Sequence, residues 1–246
     1  MTANKQIIII ESGFKAMARK GAEIFSRAAM ESVEKRGRFA VAISGGSTPK
    51  SMHRMLGKEP FYSDIPWDKT DIFWVDERCV PKKHPDSNFG GAKKDFLDKI
   101  PISQNQIHPM PVETSPEKGA EIYQNKLLDF FHLQNEEFPA FDLIFLGIGT
   151  DGHTASLFPG QSALNEMKRW VVAVKGGNPN VNRLTLTLPV INRGKQIVFM
   201  ISGKKKASVV KTALKGIQSG LPAQLVQPLK GTLIWLLDRE AASLLD

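Results

Sequence analysis

Short apolar runs alternate along the chain with longer segments in which apolar residues recur at spacings of three and four. The short runs predict buried β-strands, and the longer segments predict amphipathic helices. Such alternation is typical of α/β proteins, in which helices cover a parallel sheet. The predicted strands are 6–10, 39–44, 71–77, 141–149, 170–175 and 196–203, and the clearest helices are 14–37 and 115–135.

Two local signals refine this pattern. Ser115 and Pro116 stand where a helix would take its N-cap and its first residue. Residues 183–192 alternate apolar and polar side chains as a half-buried strand would, until Pro189 interrupts them. We therefore expect an α/β fold with a doubly wound, mostly parallel sheet flanked by helices on both faces, in a single domain that spans residues 1–246.

Composition and cysteine content limit the possible functions. The 246 residues are 41% hydrophobic, which is enough for a substantial core, and Cys79 is the only cysteine. An intrachain disulfide and a cysteine-based metal cluster are therefore excluded, and the five histidines show no metal-ligand spacing. We expect no metal and no cofactor. Without a secretory h-region or an apolar run near the ~20 residues of a membrane span, we expect a cytoplasmic protein with no membrane partner.

The net charge raises the question of nucleic acid. The formal charge is +8 at pH 7, and the pI is near 9.5. Yet the basic residues are spread among 25 acidic ones, and the densest basic cluster is the short segment 203–207. A solvated basic surface explains this distribution better than a nucleic-acid footprint. We expect no nucleic-acid partner, although the same field would attract a small anionic substrate.

One predicted strand ends in glycines that are spaced as in a dinucleotide-binding fingerprint, at Gly147, Gly149 and Gly152. That fingerprint also needs a helix directly after the glycines and an acidic residue at the end of the next strand. Here Pro159 follows too soon for such a helix, and the next strand ends in Lys175. We therefore expect a Rossmann-like fold without a dinucleotide site.

The same glycines would instead present Asp151 and His153 at the ligand edge of the sheet. A lone histidine is often structural, whereas a carboxylate two residues away favours a general base, and the residues alone leave both interpretations open. The G-x-S-x-G motif of serine hydrolases and the H-E-x-x-H zinc motif do not occur. What remains is metal-free activation of water by a neutral histidine beside an anion-binding loop.

A glycine-rich segment follows the strand 39–44. Gly45 and Gly46 let the backbone approach a ligand, and Ser47 and Thr48 add hydroxyl donors. A helix with Thr48 as its cap and Pro49 at its first position would point free N–H groups at a phosphate. An ordinary glycine-rich turn is the alternative. The pattern G-x-x-x-x-G-K-[ST] does not occur, which argues against a nucleoside triphosphatase.

Asp76, Glu77 and Arg78 emerge together at the end of the third predicted strand. Arg78 could hold a phosphate through two N–H donors, while the carboxylates orient it or act as acid and base. A surface ion pair is an equally good interpretation of this stretch.

Six motifs resemble, in their order, those of the 6-phosphogluconolactonase family, whose superfamily also contains glucosamine-6-phosphate deaminase. The resemblance covers nearly the whole chain, and it is specific because the motifs occur together. They are SGGSTP at 44–49, DERCVP at 76–81, DSNFG at 86–90, GIGTDGHTASLFPG at 147–160, RLTLTLPVIN at 183–192 and SGKKKA at 202–207.

The resemblance implies an ester hydrolase that converts 6-phospho-D-glucono-1,5-lactone into 6-phosphogluconate in the oxidative pentose phosphate pathway. It implies that His153 activates water, with Asp151 beside it. The implied partner is this sugar phosphate lactone, and the chain is expected to be a monomer or a homodimer. The implied substrate contacts are Gly45, Gly46, Ser47, Thr48, Arg78, Asn88, Arg183 and Lys206.

Two other functions stay open as alternatives. The deaminase pattern has a carboxylate five residues beyond its motif histidine, where this chain has Phe158. It also tends to an aromatic residue at the position of Arg78 and to asparagine at that of Asp151. A non-catalytic sugar-phosphate-binding regulator is the second alternative, and the pair of Asp151 and His153 argues against it.

The chain departs from the lactonase pattern in two places. A Lys-Pro-Pro run tends to precede the motif arginine in the family, whereas residues 175–182 here contain two glycines and one proline. We expect a longer or looser loop there. His108 stands where the family tends to arginine, and we assign it no role.

Overall fold

The structure is a computed structural model that describes residues 5–134, 137–216 and 220–245. None of the helices in these ranges is long and apolar enough to cross a membrane. The strands are β1 (Lys5–Glu11), β2 (Phe39–Ile43), β3 (Thr70–Trp74), β4 (Asp76–Arg78), β5 (Ile107–His108), β6 (Leu143–Leu146), β7 (Val171–Gly176), β8 (Val181–Leu186), β9 (Gln196–Ile201) and β10 (Thr232–Asp238). The helices are α1 (Phe14–Arg36), α2 (Ser47–Leu56), α3 (Phe61–Asp64), α4 (Asn88–Asp95), α5 (Pro116–Phe131), α6 (Leu188–Ile191) and α7 (Ala207–Lys215).

Seven strands form one sheet in the order β1-β10-β9-β6-β2-β3-β5, and every neighbouring pair is parallel. This confirms the doubly wound, mostly parallel sheet that the sequence predicts. The chain builds β3 and β5 on one side of β2 and then returns to place β6 on the other side. Ligands in such sheets bind beyond the carboxyl ends of the strands at this switch point. We therefore expect the ligand-binding residues in the loops after β2 and β6.

The strand predicted over 71–77 is in fact two strands in two sheets. Val75 lies between them, and its N–H donates to the Ile43 carbonyl at 3.0 Å. Its own carbonyl accepts from the Leu186 N–H at 2.8 Å. Because Ile43 belongs to the parallel sheet and Leu186 to a smaller antiparallel sheet of order β4-β8-β7, the chain passes between the sheets at Val75.

Two predicted strands accordingly lie outside the parallel sheet. The segment 170–175 forms most of β7, which pairs antiparallel with β8. The segment 183–192 continues β8 only to Leu186, and Pro189 lies in the short helix α6. Residues 183–186 are all buried rather than alternately exposed, because β8 is the central strand of the smaller sheet and α5 packs on it.

The two predicted helices are confirmed as α1 and α5. Ser115 caps α5 as expected, since its side chain accepts from the Lys118 N–H and Pro116 takes the first position. Asn135, at the end of the predicted segment, lies outside the described residues. β5 and β10 were not predicted. β5 has only two residues, whereas β10 contains the apolar run 233–237, which was an available signal.

Candidate active site

A cleft of about 230 Å³ opens at the carboxyl ends of β2, β6 and β9, where the strand order reverses. The loops after these three strands line it, and the smaller sheet adds side chains from β4 and β8. Asp151 is outside the lining and reaches the site through His153. All other predicted site residues line the cleft, namely Gly45, Gly46, Ser47, Thr48, Arg78, Asn88, His153, Arg183 and Lys206.

His153 is held at the rim of the cleft by Asp151. The imidazole Nδ1 lies 2.6 Å from the carboxylate Oδ1, which also accepts from the His153 N–H at 3.2 Å. Burial alone would raise the pKa of Asp151, but the hydrogen bonds and charge of His153 outweigh it and hold that pKa below its usual value. Since an ionised carboxylate can only accept, Nδ1 carries the proton. The other ring nitrogen, Nε2, is then the basic one.

The turn that carries this pair requires two of its glycines. A Cβ on Gly149 would collide with the His153 ring and the Asp151 carboxylate, and Gly152 has φ of +82° with Leu221 packed against it. The Gly149 N–H donates to the His153 carbonyl at 2.8 Å, which closes the turn. The glycines thus present Asp151 and His153 at the cleft.

The glycine-rich segment after β2 leads directly into a helix. α2 begins at Ser47, with Gly46 as its N-cap at φ of +101° and no side-chain cap. The prediction that Thr48 caps the helix is therefore wrong, because the helix begins one residue before it. The backbone N–H groups of the first turn have no intrahelical acceptor and stand at the cleft together with two hydroxyls. This arrangement suits an anion.

Arg78 lies beside this segment on β4. Its Nη1 donates to the Asp86 carbonyl at 2.6 Å and to the Asn88 side-chain oxygen at 3.0 Å. Asn88 in turn donates from its amide to the Asp76 carbonyl and carboxylate at 2.8 and 3.2 Å. Both polar atoms of Asn88 are thus engaged, and they fix the position of the guanidinium.

Arg183 lies opposite Arg78 in the register of β4 and β8. Its guanidinium donates to the carbonyls of Gly176 and Pro179 at 2.9 and 3.1 Å. Burial and the neighbouring Arg78 charge lower the pKa of Arg183. Within the described part of the chain neither arginine forms an ion pair with a carboxylate. Two adjacent, partly desolvated cations with no carboxylate in direct contact favour a bound anion.

Lys206 supplies a third cation from the loop after β9. Its ammonium donates to the Ile148 carbonyl at 2.6 Å, and burial lowers its pKa although the Asp151 charge opposes that effect. Asp238, at the end of β10, accepts from the Ser202 hydroxyl and from the Gly203 N–H, and so fixes the turn before Lys206. Asp238 was not among the predicted site residues. Its position directly after an apolar run was the available signal.

The carboxylates of Asp76 and Glu77 are buried, so the surface ion pair considered for them is wrong. Glu77 accepts from the N–H groups of Asn88 and Phe89 at 2.7 Å each, which anchors the start of α4. Burial raises the pKa of Glu77 despite these hydrogen bonds. Asp76 accepts from the Ser156 hydroxyl at 2.6 Å and thereby ties the His153 loop to β4. Ser156 was also missed, because nothing local in the sequence marks this contact.

Residues 175–182 form a tight hairpin rather than the longer or looser loop expected. β7 ends at Gly176 and β8 begins at Val181. Because two carbonyls of this hairpin hold Arg183, the unusual sequence supports the site. Phe158 fills the space between the hairpin and the histidine. Its ring lies 4.8 Å from that of His153, and the Arg183 guanidinium lies 5.7 Å from it.

His108 lies away from the cleft. Its Nε2 is 2.8 Å from Asp71, and its ring stacks on Phe73 at 4.2 Å. These contacts hold its ring within the packing around β3 and β5.

Comparison with known proteins identifies the family of the chain. Residues 13–235 match the family described as glucosamine-6-phosphate isomerases/6-phosphogluconolactonase. The chain belongs to this family.

Members of this family with similar sequences include 6-phosphogluconolactonases from two cyanobacteria. The protein from Synechocystis sp. is 43% identical over 215 residues, and that from Nostoc sp. is 39% identical over 215 residues. Each alignment covers 86% of both chains. The solved structure of 6-phosphogluconolactonase from Trypanosoma brucei superposes with a TM-score of 0.89 at 27% identity, covering 99% of this chain and 100% of that one.

Proposed function

We propose that the chain hydrolyses 6-phospho-D-glucono-1,5-lactone to 6-phosphogluconate in the oxidative pentose phosphate pathway, with His153 as general base. Family membership and the names of its relatives support the reaction. The roles proposed for His153 and for the phosphate-binding side chains rest on the composition of the cleft. It combines one carboxylate-oriented imidazole with three cations that no described carboxylate neutralises by direct contact.

The reaction needs one base that returns its proton. Nε2 of His153 takes a proton from water as the water oxygen bonds to the lactone carbonyl carbon. The tetrahedral intermediate then collapses, the bond from that carbon to the ring oxygen breaks, and the imidazolium gives the proton to this oxygen. The product acid ionises and releases one proton to solvent. Asp151 keeps the imidazole in the required tautomer and stabilises its transient charge.

The substrate phosphate provides the positioning. We place it against the first turn of α2 and the side chains of Arg78, Arg183 and Lys206, with Asn88 holding Arg78 in place. A dianion there would recover the free energy spent on desolvating adjacent cations. Holding the phosphate fixes the lactone carbonyl relative to His153, which lowers the entropic part of the barrier.

Phe158 favours lactone hydrolysis over deamination. Among the described residues Asp151 is the only carboxylate within ion-pair distance of His153. The side that a second carboxylate would occupy holds an apolar ring. This environment suits a base that acts on water.

We place the reaction in the cytoplasm. The chain has a single cysteine and so needs no disulfide, which suits a reducing compartment.

Acid release from freshly prepared 6-phosphogluconolactone, with the spontaneous rate subtracted, tests this proposal. Glucosamine 6-phosphate is assayed in parallel for ammonia release. We expect acceleration of the first reaction only. Ammonia release would point to the deaminase, and binding of 6-phosphogluconate without acceleration of either reaction would point to a regulator.

A further inference from the structure

The outer edge of the parallel sheet is formed by β1. Among the described residues its only strand neighbour is β10, so its opposite edge carries unpaired backbone N–H and C=O groups. Ile8 and Ile10 are 46% and 51% exposed on one face of this strand. The edge is thus open and apolar.

Monomeric proteins normally protect such an edge with proline, a bulge, a short strand or an inward charge. Between its two end residues β1 has none of these. Its seven residues, KQIIIIE, stay in unbroken register with β10 from Lys5 opposite Thr232 to Glu11 opposite Asp238. The only charges are at its two ends. An edge of this kind is suited to pair with another strand.

The sequence of β1 is complementary to itself when it is reversed. In an antiparallel pair centred on Ile8, Lys5 of one copy lies opposite Glu11 of the other, and this happens twice. Gln6 then faces Ile10, and Ile7 faces Ile9. Directly opposed residues share a face of the sheet, so both oppositely charged pairs can form contacts. If the centre moved to Ile9, Lys5 would lie outside the pair and Glu11 would face Ile7. If it moved to Ile7, Glu11 would lie outside the pair and Lys5 would face Ile9.

We propose that β1 pairs with β1 of a second copy, antiparallel about a two-fold axis at Ile8, so that the two sheets become one. An antiparallel pair is what a closed two-fold dimer requires, since both copies then use the same surface. Neither Lys5 nor Glu11 has an ion-pair partner within the described residues. The two charges are therefore available to a second copy. The cleft lies at β2, β6 and β9, so hydrolysis does not depend on this contact.

Sedimentation velocity of the full chain over a range of concentrations tests the pairing. We expect wild type to pass from monomer to dimer as its concentration rises. Lys5→Glu and Glu11→Lys should each raise the dimer dissociation constant about tenfold or more, because each replaces two attractive contacts with two repulsive ones. The double variant K5E/E11K recreates both attractive contacts, and its dissociation constant should return to within about threefold of wild type.

Lys94→Glu is the matched control, because it makes the same charge reversal as Lys5→Glu at an exposed position on α4. It should leave the dimer intact. Ile8→Lys, which sets two lysines against each other at the axis, should leave only monomer. Lactone hydrolysis by every variant reports that it is folded. A wild-type chain that stays monomeric at all concentrations would overturn the proposal. So would a dimer that tolerates both single charge reversals, or one that K5E/E11K fails to restore, since such a dimer uses another surface.

Discussion

At the scale of single residues, the reactive nitrogen of His153 is defined by what holds the other nitrogen. The 2.6 Å contact with Asp151 assigns the proton to Nδ1 and leaves Nε2 as the base. A spacing of two residues on a turn is enough to bring the two side chains together. This is why the pair could be predicted from sequence.

The role of Arg78 can be separated from that of the base. Arg78→Ala should raise KM about 10- to 100-fold, because a charge-assisted hydrogen bond to phosphate contributes about 1.5–3 kcal/mol. Steady-state kinetics with the phosphorylated lactone measures this change. Glucono-1,5-lactone, which lacks the phosphate, should show little difference between the two enzymes. Arg27→Ala, an exposed change outside the cleft, is the control. An equal loss with both lactones would mean that Arg78 does not bind the phosphate.

The buried partners of the site could not be predicted in the same way. Asp76 meets Ser156 across 80 positions of the chain, and Asp238 meets Ser202 across 36. Such pairs depend on how strands from different parts of the chain are arranged, and no local pattern records that arrangement. The motif residues therefore come together at the cleft as expected, whereas Ser156 and Asp238, which fix two of its loops, were not predicted.

At the scale of elements, the site is built from turns in which certain positions have no room for a side chain or require a positive φ. The segment after β2 and the turn after β6 both rely on glycine, at Gly46 and Gly152, for positive φ angles. The helix that begins at Ser47 was expected, but its first residue was not, because glycine can end a loop without a side-chain cap.

Gly149→Ala tests the demand for space in the turn that carries His153. The added Cβ would collide with the His153 ring and the Asp151 carboxylate, so the base must move. We expect kcat to fall about 100-fold, the usual scale for a base displaced by about 1 Å. The midpoint temperature of thermal unfolding should stay close to that of wild type.

Gly91→Ala on α4 is the matched control for Gly149→Ala, since a Cβ there meets nothing within 4 Å. It should leave kcat unchanged. Wild-type kcat in the Gly149→Ala variant would contradict the geometry of the turn.

At the scale of the whole molecule, the parallel sheet was predictable because buried parallel strands appear as continuous apolar runs. The smaller antiparallel sheet could not be predicted, because β7 has the same apolar character as a parallel strand. Only its pairing with β8 distinguishes it. The placement of Arg78 opposite Arg183 follows from this pairing. The cationic wall is thus a product of topology as much as of motif.

Stability of the whole molecule should depend on pH through His53, a buried residue of α2 whose ring packs against Phe96. Burial lowers its pKa to about 4, with Asp95 opposing the shift. Its folded-state pKa is therefore below the unfolded value of about 6.5. As the pH falls from about 6.5 to 4, the unfolded chain binds a proton that the folded chain does not, so stability is lost across this window.

His53→Gln should remove this contribution. Urea unfolding at pH 7 and pH 5 should show that wild type loses about 2 kcal/mol more than the variant. His132→Gln, at the exposed position that caps the end of α5, is the control and should keep the wild-type dependence. The same loss in His53→Gln as in wild type would assign the pH dependence to other groups.

The kcat of His153→Ala for lactone hydrolysis, measured by acid release above the spontaneous rate, tests the central claim most directly. We predict a fall of about 100-fold or more with KM within about threefold of wild type, since the phosphate contacts remain and only the base is lost. His132→Asn, which removes a histidine outside the cleft, should keep the wild-type kcat. A His153→Ala enzyme with the kcat of wild type would contradict the assignment of His153 as the base.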